Sequence, residues 1–321
     1  MKAGEGSNPS FSAILQVLPT YPLMVGSTCS VITVGTNGDL ELTVLLVSED
    51  TMFNGVVFSF ALPKWLLYGN DLDWRYAMIN PNRAISERLL EERKMRLKGG
   101  LYHQTQIVFA YNTNRIEGSR LTEDQTRYIY ETRTISIAPE GTANVDDIIE
   151  TSNHFTCFDY MLDHSSEKLS EDMIKEYHRL LKRGTSDERK DWFKVGDYKT
   201  KPNMVGDTET TPPVKVAVAM GKLLDDYNGI SAVNLEDIVD FHYRFESIHP
   251  FQDGNGRVGR LIMFKECLAN DVLPFIVRDE QKQFYYRGLK EYPREKGYLL
   301  DTCRTFQDQY EKLIAYFIPQ E

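Results

Sequence analysis

The chain has 321 residues, 41% hydrophobic and 26% charged, a mix suited to one sizeable core or to a main domain with a smaller companion. Its formal net charge of −10 repels phosphate backbones and anionic lipid. Nucleic acid and membrane are therefore excluded as default partners, although a local basic pocket for a nucleotide stays open.

The N-terminus, MKAGEGSNPS, lacks a charged stretch followed by an apolar run, so no signal peptide is expected. β-Branched residues predict strands over 30–34, 40–47 and 56–61. Asn37-Gly38 and Asn54-Gly55 supply the positive φ of tight turns, which makes a small antiparallel meander. The longest apolar stretch, 53–69, is broken by Pro63 and Lys64 and is too short to span a bilayer. Residues 63–82 read as a linker, and the texture divides the chain into a β-rich region over 1–82 and a helical domain over 83–321.

Helical periodicity then predicts helices over 84–97 and 101–112, separated by Gly99-Gly100. Thr122-Glu-Asp-Gln125 is a capping box opening a helix to about 132. Further helices are expected over 145–162, 170–181, 214–227, 235–247, 257–270, 279–291 and 298–318. Between 192 and 205, Gly196-Asp197 and Pro202-Asn203 are turn signals flanked by Val, Tyr and Thr, which predicts a β-hairpin interrupting the helices. The four cysteines, Cys29, Cys157, Cys267 and Cys303, are scattered, with no Cys-x-x-Cys pair and no His at zinc spacing. Reduced thiols in a cytoplasmic protein are the expectation.

The chemistry gathers in His249-Pro-Phe-Gln-Asp-Gly-Asn-Gly-Arg-Val-Gly-Arg260. His249 can exchange a proton near neutral pH. Asp253 is a hard oxygen ligand suited to Mg²⁺. Gly254, Asn255 and Gly256 can turn successive backbone N–H groups toward one point, at the start of a helix whose dipole favours phosphate oxygens. Arg257 and Arg260, three apart, face nearly the same way and offer charged donors. Each piece alone has a bland reading as a loop histidine, a turn or a solvated face. Together in one run they suit phosphoryl or nucleotidyl transfer. A zinc hydrolase is disfavoured, because no His-Glu-x-x-His occurs.

The run resembles the Fic family signature His-x-Phe-x-Asp/Glu-Gly-Asn-Gly-Arg-x-x-Arg, matched at His249, Phe251, Asp253, Gly254, Asn255, Gly256, Arg257 and Arg260. The resemblance implies a mainly α fold, a Fic-type helical bundle with a β-hairpin flap, here preceded by the small β-rich segment. It also implies a protein adenylyltransferase, with ATP as co-substrate and Mg²⁺ as cofactor. His249 would be the base on a target hydroxyl, Asp253 would hold Mg²⁺, and Asn255 with the 254–256 backbone would stabilise the α-phosphate. Arg257 and Arg260 would bind the outer phosphates, and Phe251 would anchor the loop. Upstream, Thr113-Asn-Arg-Ile-Glu117-Gly118 resembles the family's inhibitory motif, whose glutamate reaches the position of Arg260 and blocks the γ-phosphate.

Val195, Gly196, Asp197, Tyr198 and Lys199 resemble the flap that docks the target as an extended strand. Tyr285 and Tyr286 resemble an aromatic pair lining the nucleoside pocket. Pro293 departs from an Asn that some relatives carry there, which puts base recognition in doubt. The implied partner is a target protein with an acceptor hydroxyl, and self-modification and a homodimer stay open. Alternatives within the family are UMP, phosphocholine or phosphate transfer and removal of AMP. Gly256 argues against the Doc-type kinase, which has Lys there. A non-catalytic binding module is the reading outside enzymes, opposed by the intact His249 and arginines.

Overall fold

The computed structural model describes residues 81–206 and 208–318, together with the backbone of three strands nearer the N-terminus. Contacts divide the chain into two units, Met1–Arg75 and Tyr76–Glu321. In the first, β1 (Thr28–Val34), β2 (Leu40–Leu46) and β3 (Val57–Ala61) form an antiparallel sheet in the order β1-β2-β3. Thr28 pairs with Leu46 and Val34 with Leu40, while Leu45 pairs with Val57. These are the strands expected over 30–34, 40–47 and 56–61. The two Asn-Gly turns between them lie outside the described residues.

The second unit is helical. α1 (Pro81–Met95) begins inside the stretch read as a linker, with Pro81 at the first position, where its missing N–H costs nothing. α2 (Leu101–Ile116) runs four residues past the expected end. The reason lies in its asparagines: Asn112 Nδ2 donates to Val108 O and Asn114 Nδ2 to Ala110 O, so both amides are satisfied along their own helix. Gly118, at φ +98°, then turns the chain out. α3 (Glu123–Thr132) starts on the expected capping box, Gln125 N–H donating to Thr122 Oγ1 and Thr122 N–H to Gln125 Oε1.

α4 (Val145–Asp163) and α5 (Glu171–Lys182) follow, capped by Asn144 and Ser170. After a short hairpin come α6 (Pro213–Asn228), α7 (Leu235–Ile248), α8 (Asn255–Ala269), α9 (Lys282–Glu291) and α10 (Gly297–Phe317). α8 is the centre of the bundle: every residue from Asn255 to Leu268 is buried. Its Phe264 ring lies 5.4 Å from Phe109 of α2, 5.5 Å from Phe158 of α4 and 5.6 Å from Tyr310 of α10. Truncating such a ring to alanine costs about 3–5 kcal/mol, so the helix carrying the signature is held by the core itself.

The hairpin is displaced from the expected 192–205. Its strands are β4 (Met204–Val205) and β5 (Thr208–Glu209), with Met204 opposite Glu209. Residues 195–199 are turn and loop. Their backbone groups are bound elsewhere and cannot join a ladder: Gly196 N–H donates to His178 Nδ1, Asp197 N–H to Lys194 O and Lys199 N–H to Pro250 O. Cys157, Cys267 and Cys303 are free and buried. Among the described residues no helix is long and apolar enough to cross a membrane.

Candidate active site

The signature joins the end of α7 to the start of α8. Its first residue, His249, caps α7 in the left-handed region at φ 50°, and its N–H donates to Phe245 O. That conformation breaks the helix and turns the loop inward, so that Phe251 is fully buried. The His178 ring stacks on Phe251 at 4.0 Å, nearly parallel. Because Gly196 N–H occupies His178 Nδ1, the ring carries its proton on Nε2, which donates to Asp253 O at 3.2 Å. Burial draws the His178 pKa down to about 3, which keeps the ring neutral in this role.

Gly254 opens α8 at φ +83°, a conformation that disfavours any side chain. Asn255 departs from expectation. It is 1% exposed, its Oδ1 accepts from Phe251 N–H at 2.8 Å, and its Nδ2 donates to Phe251 O at 2.9 Å. Its amide therefore braces the loop and does not face a phosphate, so any anion contact at this position belongs to backbone N–H groups.

The arginines also diverge. Arg257, 4% exposed, binds Glu150 Oε2 through NH1 and Asp253 Oδ2 through NH2 at 3.0 Å. Arg260, 2% exposed, donates through Nε to Thr113 Oγ1 at 2.7 Å and through NH2 to Thr113 O at 3.2 Å. The same NH2 meets Glu117 Oε1 at 2.6 Å. Both guanidiniums are thus neutralised within the chain. Glu117 lies over the first turn of α8: a Cβ added at Gly256 would collide with Glu117 Oε1 and come within 2.9 Å of Arg260 NH1. A carboxylate therefore rests where a helix N-terminus and a buried arginine favour an anion.

Asp253 Oδ2 accepts from both Lys182 Nζ at 2.6 Å and Arg257. Burial would raise this carboxyl, but Arg257 and Lys182 prevail and hold it well below the usual carboxylate range. Glu150, Asp187 and Asp253 offer oxygens within 4.8 Å of one another. Lys182 Nζ binds all three, at 2.5, 2.6 and 2.6 Å, so an ammonium already takes the place a metal would need among them.

At His249, burial and then the positive charge of Lys199 lower the pKa to about 4, so the ring is neutral at physiological pH. Lys199 is itself 3% exposed, and its Nζ donates to Asn203 Oδ1, Thr210 Oγ1 and Ile248 O. It ties the hairpin base to the residue before His249. Of the paired tyrosines, Tyr285 is a core residue at 1% exposure, its hydroxyl 2.6 Å from His242 Nε2. Tyr286 is 45% exposed and donates to Ile116 O beside Glu117. Sequence reasoning missed Glu150, His178, Lys182 and Asp187. The only local hint is that His178 and Lys182 lie one helical turn apart.

Residues 168–267 match the model of the Fic/DOC family. The chain is 28% identical over 214 residues to a "Protein adenylyltransferase Fic" of Drosophila willistoni, covering 65% of this chain and 41% of the relative. It is 27% identical over 195 residues to a "Protein adenylyltransferase fic-1" of Caenorhabditis elegans, covering 59% and 37%. The chain thus spans about two fifths of the length of these curated relatives. The fold is similar to that of a Fic domain containing signaling protein from Bacteroides thetaiotaomicron, with a TM-score of 0.57 at 23% identity, covering 73% of this chain and 95% of that one. It is also similar to Fic-1 from C. elegans, with a TM-score of 0.56 at 20% identity, covering 73% and 72%. Residues 168–267 of the helical unit thus match the Fic/DOC family model, and the fold around them is similar to that of Fic proteins.

Proposed function

We propose that this chain transfers AMP from ATP to a Ser, Thr or Tyr hydroxyl of a target protein, and that Glu117 holds the activity low. The observation that carries the reading is the Glu117 carboxylate lodged against Arg260 and Gly256 at the start of α8. A site that must be filled by an internal anion is one built for an external anion. In the proposed reaction the target oxygen attacks the α-phosphorus and the bond to the β-phosphate oxygen breaks. Pyrophosphate leaves, and the hydroxyl proton passes to His249. Displacing Glu117 would free Arg260 and the first-turn N–H groups of α8 for the polyphosphate. The names of the curated relatives support this reading at the level of the family.

Asp253 fits a Mg²⁺ ion: it is ionised, 47% exposed, and a single carboxylate suits a metal that keeps phosphate oxygens and water as its other ligands. Bound there, the ion would neutralise charge on the α- and β-phosphates. Glu150 and Asp187 do not fit as further ligands, because both oxygens of each are already ion-paired, those of Glu150 with Lys182 and Arg257 and those of Asp187 with Lys182 and Lys190, whereas the ion pairs of Asp253 use Oδ2. Incubation with α-labelled ATP, Mg²⁺ and cell lysate tests the roles. Glu117→Gly should raise protein-bound label, and adding His249→Ala should abolish it. Label that survives the His249 change removes His249 as the base.

A further inference from the structure

Glu246 and His249 lie one turn apart at the end of α7, so the helix fixes their relation. His249 Nδ1 is 3.8 Å from Glu246 Oε2. Each residue also holds a buried polar atom without a hydrogen-bond partner, Nδ1 of His249 and Oε1 of Glu246. A side-chain rotation moving them together by about 1 Å would make an ordinary N–H···O bond. Room for the carboxyl is built into α8: a Cβ at Gly259 would come within 2.8 Å of Glu246 Oε1. None of the proposed chemistry above employs Glu246.

We propose that Glu246 is the positioning residue of His249. Its carboxylate accepts Nδ1–H of the neutral imidazole and leaves the lone pair of Nε2 for the proton of the target hydroxyl. When Glu246 is protonated, its O–H donates to Nδ1, the ring carries its proton on Nε2, and the base is blocked. Ionisation releases one proton to solvent, and the ring proton moves from Nε2 to Nδ1. The inference rests on His249 acting as the base of the proposed reaction.

The charged and titratable groups around the pair set where this switch falls. Glu117 faces Glu246 from the end of α2, Arg260 from α8, Tyr285 and Tyr286 from α9, and His242 from one turn back on α7. Lys199, the backbone carbonyl of Glu246, Glu117 and Asp253 face His249. Burial, then Glu117, raises the Glu246 pKa to about 8 against the pull of Arg260. Burial, then Lys199, lowers that of His249 to about 4. Between those values the extra proton of the pair sits on the carboxyl, so the switch falls near pH 8.

The test is ¹⁵N-histidine NMR of the intact chain, from about pH 6 upward, with the His249 resonances assigned by their loss in His249→Ala. The wild type should pass from the Nε2–H to the Nδ1–H tautomer with a midpoint near pH 8. Glu246→Gln should show no midpoint, because an amide does not titrate and holds one tautomer at every pH. Glu246→Leu should show no midpoint and no fixed tautomer. Glu117→Ala should move the wild-type midpoint downward. A wild-type tautomer that ignores pH, or a midpoint that survives Glu246→Gln, overturns the proposal. The readout needs neither nucleotide nor target, so it stands apart from failure of the AMP-transfer reading.

Discussion

Replacing Glu117 by alanine should destabilise the protein and tighten its hold on ATP at once, and one interaction sets both sizes. Alanine is preferable to glycine because it does not loosen the end of α2. The substitution removes the 2.6 Å contact to Arg260 but leaves that arginine its two bonds to Thr113. A hydrogen bond to a charged group is worth about 1.5–3 kcal/mol, the range suited to a pair with one member 27% exposed. If the pair must open before a triphosphate can occupy Arg260, that energy opposes binding and reduces affinity by about 10- to 150-fold. Thermal unfolding with and without Mg²⁺ and ATP separates the two effects. Without nucleotide, Glu117→Ala should melt several degrees below wild type. With nucleotide, the variant should gain more than wild type and close the gap. Glu117→Gln, which keeps a neutral hydrogen bond, should fall between. A variant that melts like wild type and gains no more from ATP would refute the reasoning.

Other outcomes follow from neighbouring residues. Gly254→Ala forces a side chain to φ +83° with its Cβ 3.3 Å from Leu181, so stability should drop by about 1–2 kcal/mol in chemical denaturation, alongside loss of label transfer. His154 is fully buried, and burial, Arg260 and Arg257 hold its pKa at about 3. The unfolded chain therefore takes up this proton first, and the associated stability, full above about pH 6.5, is lost as pH falls toward 3. His154→Leu should reduce the acid slope of unfolding free energy by about 1.4 kcal/mol per pH unit, and an unchanged slope would contradict the assignment. Lys199→Met cuts the ties from the hairpin to Ile248, so titration should show weaker target binding with little change in ATP affinity. Of the four cysteine thiols, Cys157, Cys267 and Cys303 should resist a thiol reagent until the chain unfolds, which leaves at most one reactive in the native state.

The parts legible in the sequence are those whose cause is local. The capping box at Thr122 and Gln125, the β-branched runs of β1 to β3 and the glycine turn at Gly254 each depend on residues within one turn of themselves. The fate of Asn255 was not legible, because a buried amide and a phosphate-facing amide have the same sequence; only its bonds to Phe251 distinguish them. Nor was the network around Lys182, whose partners Glu150 and Asp253 lie 32 and 71 residues away. The hairpin shifted for a related reason. Gly196-Asp197 does turn, but His178 and Pro250 take the N–H groups a ladder would need, and pairing begins only at Met204. Tyr285 and Tyr286 are adjacent yet have opposite surroundings, since neighbours on a helix point about 100° apart and only one faces the core.

The central claim is that the site moves a nucleotidyl group while Glu117 restrains it. The most direct measurement gives Glu117→Gly protein ATP labelled on either the α- or the γ-phosphate, with Mg²⁺ and lysate, and counts label bound to protein. The account predicts label from the α-position alone, at a higher level than in wild type. Label from the γ-position would show phosphate transfer instead, and no label from either would contradict AMP transfer from ATP.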